Sequence, residues 1–251
     1  MDAILLDFSK AFDKVPHQRL LLKLRHYGIR GNLLDWIKDF SSERTQEVLV
    51  EGQHSSSAKV TSGVPQGTVM GPLLFLVFIN DQPECVKSTP RLFADDCLLY
   101  RPIRSKADSE ELQADLHVDK LQKWENNWLM SFNPNKCEVI RITNKRKQLT
   151  SDYYIHGKKL VTVPSAKYLG LHFQNNHIDT ITKKANSSTA FLNRNLKGCP
   201  PSVKERCYTA LVHPLVEYAS TVWSPHTAAN INKIEQVQRR DARFVNNVFG
   251  R

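Results

Sequence analysis

The sequence predicts an α+β fold that gives way to an all-helical region near residue 175. Two observations carry this expectation. Short β-prone runs alternate with amphipathic stretches through the first two thirds of the chain, and from Ile178 onward β-prone runs vanish while apolar residues recur at helical spacing.

The elements follow in order. Ala3-Ile4-Leu5-Leu6 is an apolar run ending at Asp7, as a buried strand would be. Beyond Pro16, Leu20, Leu21, Leu24 and Tyr27 recur at helical spacing and Gly28 closes that helix. Leu33, Trp36, Ile37 and Phe40 mark a second helix capped by Asn32. Thr45–Glu51 and Ala58–Val64 form a hairpin around Gly52-Gln53, and Ser62–Thr68 is a Gly/Pro loop. Pro72 opens an apolar helix, Leu73–Ile79. Asp95-Asp96 separate the β-prone runs 91–94 and 97–100, as the tip of a tight hairpin. One long helix is predicted from Ser109, with Leu112, Leu116, Leu121, Trp124 and Trp128 on one face and Asn133-Pro134-Asn135 as its stop. Strands follow at Val139–Ile142, at both flanks of Gly157 and at Tyr168–Phe173, with polar Asn144–Gln148 as a turn. The last helices are marked by Ile178, Ile181, Ala185, Phe191 and Leu192, then Val203, Cys207 and Leu211, then Ile231, Ile234, Val237 and Val245.

With 251 residues, 41% of them hydrophobic, the chain can build a proper core, which excludes collagen, coiled-coil and disordered readings. The longest apolar run, Leu73–Ile79, falls far short of the ~20 residues of a spanning helix, so no membrane partner is expected. No secretory signal opens the chain, and five scattered cysteines form neither a disulfide framework nor a zinc ribbon. The expected setting is intracellular, in nucleus or cytoplasm. Charge divides unevenly: residues 1–125 hold 16 Lys+Arg and 18 Asp+Glu, a net of −2, and residues 126–251 hold 19 and 7, a net of +12. That division suggests chemistry in the first half and polyanion contact in the second.

Asp7 at a strand end and Asp95-Asp96 at a hairpin tip could share a site. Unit charges 4 Å apart repel by about 4 kcal/mol at an effective dielectric near 20, and a hard divalent cation removes that penalty. Taken alone, an Asp-Asp pair is better explained by good turn chemistry.

The surrounding residues carry more. Ala3-Ile-Leu-Leu-Asp-Phe-Ser-Lys-Ala-Phe-Asp-Lys-Val, then Ser62-Gly-Val-Pro-Gln-Gly-Thr-Val-Met-Gly-Pro, then Phe93-Ala-Asp-Asp stand in this order, followed by Trp128-Leu-Met-Ser-Phe-Asn-Pro-Asn-Lys-Cys-Glu and Lys167-Tyr-Leu-Gly-Leu. Together they resemble the reverse transcriptases of non-LTR (LINE-type, jockey-like) retrotransposons. The resemblance implies a polymerase palm, an antiparallel sheet backed by helices, over 1–175, and a helical thumb over 176–251. The chain begins six residues before Asp7, so a truncated portion lacking the upstream fingers subdomain is expected.

The resemblance also implies the chemistry: RNA-directed DNA polymerisation, with two Mg²⁺ (or Mn²⁺) held by Asp7 and Asp95, and Asp96 as a supporting ligand. An RNA template, a DNA primer and dNTPs would be the partners. Phe12 would lie under the sugar and exclude a 2′-hydroxyl; Asp13 sits one position too late to accept a bond from it. Gln66 and Gly67 would touch the incoming nucleotide, and Phe8 and Ala94, beside the acids, would join them. Lys136 would protonate the leaving pyrophosphate. Tyr168-Leu169-Gly170 would grip the primer. Lys183, Lys184, Arg194, Lys197, Lys204, Arg206, Arg239, Arg240 and Arg243 would track duplex phosphates. Lys145-Arg146-Lys147 reads as a solvated turn rather than a nuclear address. A catalytically silent remnant that binds only RNA or hybrid duplex is the alternative function. A two-metal nuclease would leave Phe12 and Gln66 unexplained.

Overall fold

A computed structural model describes residues 1–251 except 118, 144, 146–148, 174–176, 226 and 247–251, and the side chain of residue 172. The 144–148 turn and the 145–147 basic run thus fall largely outside the described residues. The chain packs as two compact units, Met1–Pro164 and Ser165–Arg251.

In the first unit, β1 (Asp2–Asp7) leads into helices α1 (His17–His26) and α2 (Asn32–Ser41). Four two-residue strands then build one hairpin: β2 (Thr45–Gln46) pairs with β5 (Ala58–Lys59), and β3 (Leu49–Val50) with β4 (Gln53–His54). The turn falls on Glu51-Gly52, one residue before the expected Gly52-Gln53, and both take positive φ, the type I′ pattern that suits strand twist. Helix α3 (Met70–Ile79) begins earlier than Pro72 suggests. Strands β6 (Thr89–Phe93) and β7 (Asp96–Arg101) make the acidic hairpin.

The single long helix expected from Ser109 is two helices, α4 (Lys106–Asp115) and α5 (Leu121–Trp128). Ser105 and Asp108 form a reciprocal capping box at the start of α4. The break has a physical cause: buried Asp115 turns back to accept the Lys87 and Ser88 N–H groups at 3.0 and 2.7 Å and pairs with Lys120. The expected apolar face survives the break, since Leu112, Leu116, Leu121 and Trp124 are all buried. Leu129, in the left-handed region, ends α5 before Asn133-Pro134-Asn135 is reached.

Next come β8 (Glu138–Arg141), β9 (Tyr154–Ile155), β10 (Lys158–Lys159) and β11 (Val161–Val163). The main sheet runs β11-β8-β1-β7-β6. It is antiparallel except at one edge, where β11 lies parallel to β8, a departure from the all-antiparallel expectation. Ile4, Leu6, Cys97, Leu99 and Val139 join the core shared with Leu20, Leu24, Leu74, Phe75, Phe78, Leu112 and Trp124. Strand alternation therefore puts Asp7, with Ala3 and Leu5, on the opposite face.

The second unit opens with a hairpin rather than the single strand expected at Tyr168–Phe173: β12 (Ala166–Tyr168) and β13 (Leu171–Phe173) are joined by Leu169-Gly170, both at positive φ. Tyr218 in the helical region donates its hydroxyl to the Leu169 carbonyl at 2.7 Å. The hairpin thus belongs with the helices, and the units divide at Pro164/Ser165 rather than at residue 175. Helices α6 (His177–Asn195), α7 (Pro201–Leu211), α8 (His213–Glu217), α9 (Ser220–Trp223) and α10 (Ala228–Val245) follow. Their core holds Ala185, Leu192, Val212, Val216, Val237 and Phe244. Val203 and Leu211, expected to face it, are exposed, while Lys204 is buried with its ammonium over the Phe244 ring.

Candidate active site

The site forms where β1 meets the acidic hairpin. In the antiparallel register Asp7 lies directly across from Asp96, and Asp96 across from Phe93. Cα atoms of such opposed residues are about 4.5–5.5 Å apart, with side chains on the same face. The two-residue turn is Ala94-Asp95, not Asp95-Asp96, because Phe93 and Asp96 close the ladder and Ala94 takes positive φ. The resemblance ranks Asp95 as a metal ligand ahead of Asp96; the register gives Asp96 the position opposite Asp7.

The three carboxyls share one field. Partial burial, then the charges of Asp95 and Asp7, push the Asp96 carboxyl above its ordinary range. Asp7 Oδ1 is buried and accepts no hydrogen bond among the described residues, with the Lys136 ammonium 3.6 Å away. An orphaned oxygen beside mutually repelling carboxyls is a donor set that suits a hard divalent cation. Among the described residues, no three acidic, histidine or cysteine side chains already stand in metal-holding positions.

Lys136 reaches Asp7 because the segment after α5 is laced to the end of β1. Ser9 N–H donates to Ser131 O at 2.8 Å and Asn133 N–H to Asp7 O at 2.7 Å. Buried Glu125 accepts the Phe132 N–H at 2.6 Å and contacts His156 at 3.1 Å. Burial raises the Glu125 carboxyl above its usual range, against the opposing pull of Phe132 N–H and His156. Sequence reasoning missed Glu125; a polar residue inside an otherwise apolar helical face was the available signal for it.

A second cluster lies where the segment after β1 meets the Gly/Pro loop. Phe12 is half-buried and stacked on Phe75, ring centroids 4.4 Å apart. Val64 N–H donates to Phe12 O and Gly63 N–H to Val15 O, each at 2.8 Å. Gly63 is required there: its φ is +93°, and a Cβ would stand 2.7 Å from the Asp13 carbonyl oxygen. Gln66 and Gly67 are exposed, and Gln66 Nε2 donates to Asp13 Oδ1 at 2.8 Å.

Three expected contacts need correction. Phe8 is buried and stacked on Phe132 with centroids 4.3 Å apart, so its ring serves the core and does not reach a substrate. Tyr168 is buried beside Phe173, while Leu169 and Gly170 at the tip of its hairpin are exposed. Lys204 is buried and does not track phosphates, whereas Lys183, Lys184, Arg194, Lys197, Arg206, Arg239, Arg240 and Arg243 are exposed. Arg240 donates to Asn186 across α10 and α6.

Comparison with known proteins decides the family. The profile described as reverse transcriptase (RNA-dependent DNA polymerase) matches residues 3–173, most of the chain and all the acids above. The chain belongs to the reverse transcriptase family. It is 30% identical, over 96% of its length, to the RNA-directed DNA polymerase from mobile element jockey of Drosophila melanogaster. It is 26% identical, over 97%, to the probable RNA-directed DNA polymerase from transposon X-element of the same organism. The chain spans 28% of the length of each of these curated relatives. Among solved structures, telomerase from Candida albicans in complex with a telomeric RNA fragment overlaps 98% of this chain and 45% of its own, at 13% identity and a TM-score of 0.47. The family match over residues 3–173, with the observed sheet and its helices, gives the chain the mixed α+β fold of reverse transcriptases, and the resemblance to jockey-like elements read from the motifs is matched by the jockey and X-element relatives.

Proposed function

We propose that this chain carries the palm and thumb of a retrotransposon RNA-directed DNA polymerase, extending a DNA primer with dNTPs on an RNA template. The observation that carries the proposal is the register opposing Asp7 and Asp96, with Asp95 in the adjoining turn. Two magnesium ions, once bound, would activate the primer 3′-hydroxyl and neutralise charge on the phosphate and the leaving pyrophosphate. Asp7, Asp95 and Asp96 would hold them, and the orphaned Asp7 Oδ1 supports this.

The remaining roles fall to this chain's own groups. Lys136, close to Asp7, would hold a proton for the leaving pyrophosphate. The Phe12 ring, braced by Phe75, would lie beneath the sugar and leave no space for a 2′-hydroxyl. Gln66, Gly67 and the Ala94 backbone would line the nucleotide's path. Leu169 and Gly170 would meet the primer through backbone, and the exposed basic residues of α6 and α10 would contact duplex phosphates in the salt-dependent, sequence-tolerant manner of such contacts.

Primer extension on an RNA template with dNTPs and Mg²⁺ tests the proposal. Extension should occur, and Asp7→Asn or Asp95→Asn should reduce it on the order of 10³-fold or more while the fold persists by circular dichroism. Hybrid binding without any extension, under conditions where the chain is folded and Mg²⁺ is saturating, would assign a binding role instead.

A further inference from the structure

Asp13 has no place in the chemistry above, and the sequence alone offers it none. Yet it sits between the two parts that would handle the nucleotide. Its neighbour Phe12 accepts the Val64 N–H at 2.8 Å, its own carbonyl accepts the Ser62 hydroxyl at 2.8 Å, and its carboxylate accepts the Gln66 amide at 2.8 Å. The Gly63 carbonyl on the same loop is held by His17 at 2.9 Å and by Arg44 at 3.3 Å. The backbone of Asp13 and of the loop leading to Gln66 is therefore held by bonds that do not involve the Asp13 carboxylate. What the carboxylate fixes is the direction of one amide.

We propose that Asp13 is a positioning residue that sets Gln66 to read a hydrogen-bond donor on the incoming nucleotide. A side-chain amide has a donor end and an acceptor end of nearly equal shape, and its orientation is decided by its partners. A carboxylate only accepts, so it selects the NH₂ end of Gln66 and turns Oε1 away from itself. Both residues are exposed, so that outward oxygen is open to a ligand. An asparagine at 13 removes the selection, because its own amide satisfies Gln66 in either orientation. The inference rests on the polymerase reading and assigns the specificity of its nucleotide site.

The test uses the full chain and two readouts. In ¹⁵N-labelled protein the Gln66 side-chain amide signal, identified by its loss in Gln66→Ala, should move or split in Asp13→Asn while backbone signals elsewhere stay in place. Titration with dTTP in the presence of Ca²⁺, which needs no turnover, should show about twofold weaker binding for Asp13→Asn, which leaves roughly half the amides correctly turned, and about tenfold weaker binding for Gln66→Ala and for the double variant alike, the size of one lost hydrogen bond. An amide signal indifferent to Asp13→Asn, or losses that multiply in the double variant, would overturn the positioning role. A wild-type chain that binds no dTTP would instead overturn the polymerase reading beneath it.

Discussion

Asp96 illustrates how a residue placed for chemistry weakens the fold that holds it. Its carboxyl is pushed up by burial and by Asp95 and Asp7, so the folded state binds that proton more tightly than the unfolded chain does. The associated stability is complete below the ordinary carboxylate range and is lost as pH rises through the raised value. Without divalent cation at neutral pH, Asp96→Asn should therefore melt at a higher temperature than wild type, and Mg²⁺ should raise the wild-type melting temperature more than that of the variant. An unchanged melting temperature in both comparisons would remove Asp96 from the cluster. Gly63 is the opposite case, a residue needed for what it lacks. Gly63→Ala meets both a left-handed backbone and the Asp13 carbonyl, and should cost at least ~2 kcal/mol in urea unfolding. Both residues stood out in the sequence, Asp96 by its motif and Gly63 by its loop. Asp13 did not, because its function lies in a contact with a residue 53 positions away.

At the scale of elements, the break between α4 and α5 shows a tertiary demand overriding a helical pattern. The apolar spacing from Leu112 to Trp124 reads as one helix, and those residues are buried in the same core. Asp115 interrupts it to satisfy the N–H groups of Lys87 and Ser88 where the chain enters β6. Burial alone would raise its carboxyl, but the bonds from Lys120, Ser88 and Lys87 outweigh burial and hold it low. Its contribution to stability is thus present above the ordinary aspartate range and lost as pH falls through the lowered value. Asp115→Ala leaves buried donors and the Lys120 charge without this partner, and should cost about 3–5 kcal/mol at pH 7. That deficit should shrink as the acid limb of wild-type unfolding is reached, which urea titrations across pH would measure. The hairpin at Leu169-Gly170 teaches a related lesson: a run read as one strand folds back on itself where two successive residues take positive φ.

Across the whole molecule, charge is partitioned between units. Residues 165–251 carry 12 Lys+Arg against 5 Asp+Glu, a net of +7, and their core buries one of those cations, Lys204. Exposed Arg239 and Arg240 are then available for polyanion contact. Replacing both with Glu should weaken RNA–DNA hybrid binding and lower the slope of log affinity against log salt by about one per phosphate contact removed. A slope equal to wild type would place the contact elsewhere on the chain.

The sequence by itself determined the family, the α+β character and the helical second part, because each is written locally, in short motifs, in periods of two or 3.6 residues, and in ordered spacing. Only tertiary structure decided that Asp96 opposes Asp7, that Phe8 and Tyr168 are core residues, that Lys204 is buried and that Gln66 is held by Asp13. Each of these depends on strand register or on which neighbour a side chain meets. A pattern of period two specifies faces, but pairing between strands far apart in the chain is selected by the packing of the whole sheet.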